Sequence, residues 1–123
     1  MSATLEIAKK YVALCKEGTN DVILDELFTK DTVSVEAGGP PGVDPTSRGL
    51  DAIRAKSKWW RDNHTVHSAE VSGPYPHGDR FAVRFLYDIT HKPSGKRLSM
   101  DEVGVFTVSD GKIVKEEFFY TAG

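Results

Sequence analysis

Apolar residues recur at helical spacing through much of the first half of this chain and at every second position through most of the second half. Over residues 2–17, Leu5, Ala8, Tyr11, Val12 and Cys15 share one stripe, with Ser2 as a candidate N-cap and Gly18 as a stop. A short second helix is predicted from Asn20, its candidate cap, to Phe28. Residues Thr32 to Ala37 alternate and are rich in β-branched side chains, so they predict a strand. Val33, Val35 and Ala37 share one of its faces, read as inward, and Ser34 and Glu36 the other, with Glu36 outward. The breaker segment GGPPGVDPTSRG (38–49) reads as a loop. A third helix follows over 48–62, with Thr46 or Ser47 as its cap. Leu50, Ile53, Ser57 and Trp60 face inward and Trp59 sits at the flank.

Beyond that helix the period drops to two. Strands are predicted over 64–75 and 80–91, followed by a long hairpin from Leu98 to Tyr120, with the turn Ser109-Asp110-Gly111 at its tip. The turn sets which side chains share a face, because a slip of one residue exchanges the two faces. A three-residue loop puts Met100, Glu102, Gly104, Phe106, Val114, Glu116, Phe118 and Tyr120 on one face. Val103, Val105, Ile113, Glu117 and Phe119 then lie on the other. A two-residue Asp-Gly turn brings Glu117 to the face of Glu102 in place of Glu116. Three helices followed by an antiparallel meander predict an α+β fold: a cone-shaped, curved antiparallel sheet wrapped around the N-terminal helices.

Composition adds bounds. At 123 residues the chain reads as a single domain, 1–123, and 39% hydrophobic with 28% charged residues is ordinary for a soluble globular protein. The net charge of −2 carries no basic or acidic block, so neither nucleic acid nor an anionic membrane is an expected partner. There is no long apolar run and no leader-like N-terminus, and the lone Cys15 has no partner for an internal disulfide. These features point to a cytoplasmic protein. His64 and His67 would point to opposite faces of a strand, and His77 and His91 fall at turns, so no metal site is expected. No phosphate loop, nucleophile elbow or dinucleotide fingerprint implies a cofactor.

The order of elements, with the pieces TKDTVSVEA, SRGLDAIRAK and SDGKIVKEEFFY, resembles the nuclear-transport-factor-2-like superfamily, in its SnoaL-like and ketosteroid-isomerase-like branches. The resemblance covers essentially the whole chain. It implies an α+β cone with a hydrophobic pocket, a homodimer formed through the convex sheet face, and a range of activities that includes isomerases, cyclases and hydrolases. Comparison with ketosteroid isomerase matches Tyr11, seven residues before Gly18, to an oxyanion tyrosine. It puts Ala37, after Val35-Glu36, at the general-base position, and Gly104, two residues before Phe106, at the second oxyanion acid. With two of three positions lacking an acid, that enzyme's mechanism is not expected here. The comparison also puts Phe106, Phe118 and Tyr120 on the pocket wall, which favours the three-residue turn.

On that register Glu116 stands opposite Gly104 and Glu102 lies diagonally from it, roughly 5–8 Å away. Gly104 would leave room for a ligand or water. Carboxyls in an apolar site titrate near neutrality and can act as general acids or bases. Tyr11, Glu102 and Glu116 are therefore the candidate catalytic residues, and Tyr11 could donate to a carbonyl or enolate oxygen. Trp60, Phe85, Met100, Phe106, Phe118 and Tyr120 are the candidate ligand-binding residues. The expected function is cofactor-independent acid–base chemistry on a small, largely apolar carbonyl-type ligand. Non-catalytic ligand binding and a dimeric scaffold are the alternatives. For each residue there is also a structural reading: a glutamate ion-paired to Arg84 or Lys115, a tyrosine bonded to backbone, or aromatics that simply fill the core.

Overall fold

The protein is described by a computed structural model covering residues 3–18, 20–38, 42 and 44–120; the expected cap Ser2 lies outside them. Helix α1 (Ala3–Glu17) buries Ala8, Tyr11 and Val12. It stops where Gly18 takes a left-handed conformation (φ 74°) and its N–H donates to the Cys15 carbonyl, 3.0 Å away. Helix α2 (Asn20–Leu27) runs directly into strand β1 (Phe28–Val35), so Phe28 opens the strand instead of closing the helix. The Asn20 side-chain amide donates across to Ser57 Oγ at 2.6 Å.

The breaker segment holds a short strand, β2 (Thr46–Arg48), paired antiparallel to β1. Thr46 and Ser47 are therefore strand residues. Helix α3 (Leu50–Asn63) starts from Gly49, with no side-chain cap. Four strands then meander: β3 (His64–His77), β4 (Arg80–His91), β5 (Lys96–Ser109) and β6 (Lys112–Phe119). The six-stranded sheet has the order β2-β1-β6-β5-β4-β3, with β1 parallel to β6 and every other pair antiparallel.

The tip of the β5–β6 hairpin differs from the favoured expectation. Asp110 and Gly111 both have positive φ (51° and 73°) and Ser109 pairs with Lys112, so the turn has two residues. The register then shifts: Val108 pairs with Ile113 but Thr107 with Lys115, leaving Val114 as the extra residue of a bulge. The bulge reverses the change of face that the shorter turn would have produced. Glu116 stands opposite Phe106 and Phe118 opposite Gly104, so Glu116 still faces inward and Glu117 outward. Ahead of the bulge the expectation fails, since Ile113 is fully buried and not on the outer face.

Strand β1 also differs. Thr32 and Ser34 are completely buried, whereas Val33 and Val35 are half-buried. β1 lies between β2 and β6, and its register on β6 shifts between Phe28 and Val33. The buried Thr32 hydroxyl is satisfied by donating to the Ile113 carbonyl at 2.7 Å.

The core lies between the concave sheet face and the helices. Its centre is aromatic. Phe81 and Phe106 stack at 4.9 Å, and Tyr11 leans on Phe106 at 4.4 Å. Full burial of side chains of this size is worth ~1.5–3 kcal/mol each, which makes this cluster a main anchor of α1 on the sheet.

Candidate active site

Two ends of the concave face have different chemistry. Around Gly104 the face is closed by rings. A Cβ at Gly104 would meet Phe106 Cζ at 2.8 Å and Phe118 Cε1 at 3.2 Å. The space expected beside this glycine for a ligand or water is filled by those rings. Phe85 and Phe106 are core residues, and Phe118 stands edge-on to Phe106 at 6.2 Å. Tyr11 is buried among the same rings, beside the Cys15 thiol. Burial lifts the Tyr11 phenol well above its ordinary value, with Cys15 and Glu116 adding to the effect. Burial also raises the Cys15 thiol to about 11.

The other end, where β1, β6 and α3 meet, is polar and connected. The Lys56 ammonium of α3 donates to Ser34 Oγ and to Glu36 Oε2, the latter at 3.2 Å. Ser34 Oγ donates to Glu116 Oε2 at 2.7 Å. Tyr120 Oη donates to Glu36 Oε1 at 3.4 Å. Lys56 Nζ also lies 5.6 Å from the centre of the Phe118 ring. One cation thus links two carboxylates, one directly and one through a hydroxyl.

Glu102 stands close enough for its charge to be felt by this group. Burial pushes its carboxyl up to about 7; Glu36 and Glu116 add to the rise and Lys56 opposes it. Burial raises Glu116 to about 7 as well, against the Ser34 hydrogen bond and Lys56, with Glu36 adding to the rise. The two differ in access. Glu116 is only 6% exposed, whereas Glu102 is half-buried and has no hydrogen-bond or ion-pair partner among the described residues. Arg84, offered above as a partner for a glutamate, is bonded to Asp101 on the convex face, and Lys115 to Glu117. Tyr120 is raised to about 12, chiefly by burial, with Glu36 and Glu102 adding to it.

Of the candidate residues, the fold brings Glu102, Glu116, Phe118 and Tyr120 to this polar end. Trp60 lies further along, tilted against Tyr87 at 5.9 Å and stacked on His64. Met100 pairs with Tyr87 on β4 and borders a hollow of about 400 Å³ whose other lining includes Glu70, Leu86, Asp88 and Asp101. A second hollow of about 220 Å³ is lined by Tyr75, His77, Arg80 and Val105. Neither hollow is lined by Ser34, Glu36, Lys56, Glu102 or Glu116.

Three residues were missed. Glu36 was assigned outward, yet it is the member of the Val35-Glu36-Ala37 triplet whose carboxylate enters the site; Ala37 is exposed. Ser34 and Lys56 were not singled out at all. A signal was present: Ser34 and Glu36 are two apart on one strand face, and Lys56 lies three residues after the inward Ile53. Among the described residues no group of three or more His, Cys, Asp or Glu could hold a metal ion.

Comparison with known proteins now bears on this site. The family model of the SnoaL-like domain matches residues 2–120. The chain belongs to the SnoaL-like family. It is 45% identical to a Mesorhizobium loti protein of known crystal structure, provisionally described as a SnoaL-like polyketide cyclase [carbohydrate phosphatase], with a TM-score of 0.90 over 98% of this chain and 100% of that one. An NTF2-like protein from Burkholderia thailandensis shares the fold at 20% identity, TM-score 0.82, over 98% and 92% of the two chains. A protein of ketosteroid-isomerase-like fold from Catenulispora acidiphila, solved with trimethylamine, does so at 17% identity, TM-score 0.64, over 77% and 70%. No functionally curated protein matches the chain. The SnoaL-like fold agrees with the α+β cone and with its ketosteroid-isomerase-like branch. Among the described residues no helix is long and apolar enough to cross a membrane.

Proposed function

We propose that this SnoaL-like protein is an acid–base enzyme acting on a small, largely apolar ligand that carries a carbonyl group. The observation that supports it is the gathering of Glu36, Glu102 and Glu116 around Lys56, with Glu102 unpartnered among the described residues and both Glu102 and Glu116 raised to about 7. A group titrating near neutrality can both accept and return a proton at working pH. Glu102 is the proton-transfer residue. Its carboxylate takes a proton from the carbon next to the carbonyl and becomes a carboxylic acid; the electron pair moves onto the carbonyl oxygen. Lys56 or Tyr120 donates a hydrogen bond to that oxygen. Glu102 then returns the proton to the same carbon or to a conjugated one, so no atom is gained or lost. Glu116 is too buried to touch a ligand and acts through Ser34 as a positioning residue for Lys56. Tyr11, buried against Phe81 and Phe106, is a support of the Phe106 floor and not an oxyanion donor. Trp60, Met100, Phe118 and Tyr120 would contact the ligand.

The test is proton exchange in heavy water. A panel of small ketones, 1,3-diketones and conjugated enones is incubated with the protein and followed by proton NMR. Loss of the α-proton signal that depends on the wild-type protein and disappears in Glu102→Gln supports the reading. Ligands that bind but keep their α-protons would instead make this a non-catalytic binding protein. The Lys56–Glu36 ion pair favours that second reading, because it neutralises one carboxylate in advance. In either case the convex face, with Val103, Val105 and a 54% exposed Phe119, is our candidate homodimer surface, and a monomeric mass by light scattering at micromolar concentration would refute it.

A further inference from the structure

We propose that His64 and His91 form a two-histidine site for a divalent transition-metal ion such as zinc, nickel or copper. The sequence offered only His64 and His67 as neighbours. The fold supplies a different pair: His64 opens β3, His91 closes β4, and the two are direct cross-strand partners. Their rings stand 5.2 Å centre to centre with planes inclined at 49°. A zinc ion about 2.1 Å from an imidazole nitrogen lies about 3.2 Å from that ring's centre, so two rings at the tetrahedral angle around one ion stand about 5 Å apart. The observed 5.2 Å is the centre-to-centre separation such a pair requires.

Hydrogen bonding prepares both rings for this use. His64 Nδ1 lies 2.8 Å from the Trp60 carbonyl oxygen. A carbonyl only accepts, so Nδ1 carries the hydrogen and Nε2 presents the lone pair. His91 Nδ1 lies 2.8 Å from Ser94 Oγ, whose hydroxyl is directed at the His91 carbonyl at 3.5 Å, leaving Oγ to accept from Nδ1–H. Neither Nε2 has a protein partner among the described residues. An imidazole that donates one N–H to a nearby oxygen and leaves the other nitrogen bare is the usual state of a metal-ligating histidine. Trp60, stacked on His64 at 4.5 Å and 19°, holds that ring in place. His67 is excluded, because its Nε2 is bonded to Thr90 Oγ1 at 2.7 Å. With two protein ligands, the remaining positions fall to water or to a small donor molecule. The site does not rest on the acid–base reading, since none of its groups takes part in the Lys56 cluster.

The indoles make the test direct. Trp60 at 4.5 Å and Trp59 at 6.2 Å from the His64 ring are close enough for bound nickel(II) to quench their fluorescence. Titration of the wild-type protein with nickel chloride at pH 7.5 should give saturable one-to-one quenching that a chelator reverses. His91→Ala should weaken the midpoint at least tenfold and His67→Ala should leave it unchanged. His64→Ala should also lose binding, but it removes the stack on Trp60, so His91→Ala, checked for folding by circular dichroism, is the deciding variant. Quenching that never saturates, or a midpoint unchanged in His91→Ala, would overturn the site.

Discussion

The two ends of the concave face are built from the same strands, yet they obey opposite physics. At the Gly104 end, Tyr11, Phe81, Phe106 and Phe118 exclude everything but one another. At the Lys56 end, one ammonium holds Glu36 directly and Glu116 through Ser34, Glu102 stands nearby without a bond to it, and burial raises Glu102 and Glu116 to about 7. The aromatic end contributes stability and the polar end gives part of it up, because a carboxyl raised by burial is one whose charge is poorly solvated. That asymmetry sets a closely packed aromatic floor beside a site whose carboxyls are raised to about 7.

The comparison is broken most severely at the aromatic end. Phe106→Ala should cost ~3–5 kcal/mol in denaturant unfolding, since it leaves a cavity shared by Tyr11, Phe81 and Phe118. Gly104→Ala comes next, at ~1–3 kcal/mol, because its methyl must displace the Phe106 and Phe118 rings. A loss well under 1 kcal/mol in that variant would mean that the floor has room after all.

The polar end responds to pH. Glu102 and Glu116 hold protons more tightly in the folded chain, at about 7, than at their ordinary value of 4.5. Between those values the folded state binds more protons than the unfolded one, so their contribution is most favourable at low pH. It declines as pH rises through about 4.5 to 7 and then levels off. Glu116→Gln should flatten that decline and raise stability at pH 8 by ~1–3 kcal/mol, read as the unfolding midpoint across pH. A pH-independent difference between variant and wild type would refute this account.

Smaller effects sharpen the division of roles. Lys56→Met removes the cation that opposes the rise of both carboxyls, so carboxyl NMR titrations should move Glu102 and Glu116 further above about 7. Glu102→Gln should change stability by less than ~1 kcal/mol below pH 4.5, where the native group is already protonated, and should raise it above pH 7 in the same direction as Glu116→Gln, while abolishing any α-proton exchange.

The hairpin register shows how far local reading carries. The Asp110-Gly111 turn was legible as a turn, and its length was misjudged. The inward face of Glu116 was nonetheless assigned correctly, because a bulge at Val114 compensates the shorter loop. Nothing in the Lys112–Lys115 segment announces that bulge. Glu36 was lost for a related reason. Val33 and Val35 suggested an inward valine face, but β1 is inserted between β2 and β6, and its register shift turns Thr32, Ser34 and Glu36 toward the site.

The sequence by itself determined the elements apart from β2, their order, the α+β cone and the family. The elements follow from hydrophobic period and turn chemistry, which act over a few residues at a time, and the family from the order of those elements and the short motifs they carry. Only the tertiary structure decided which side chains meet. Ser34 reaches Glu116 across 82 positions, Lys56 reaches Glu36 across 20, and His64 faces His91 because two long strands align end to end. Such meetings depend on parallel pairing, bulges and helix placement. Their energies arise only when the whole chain is assembled, so they leave little trace in any local stretch of sequence.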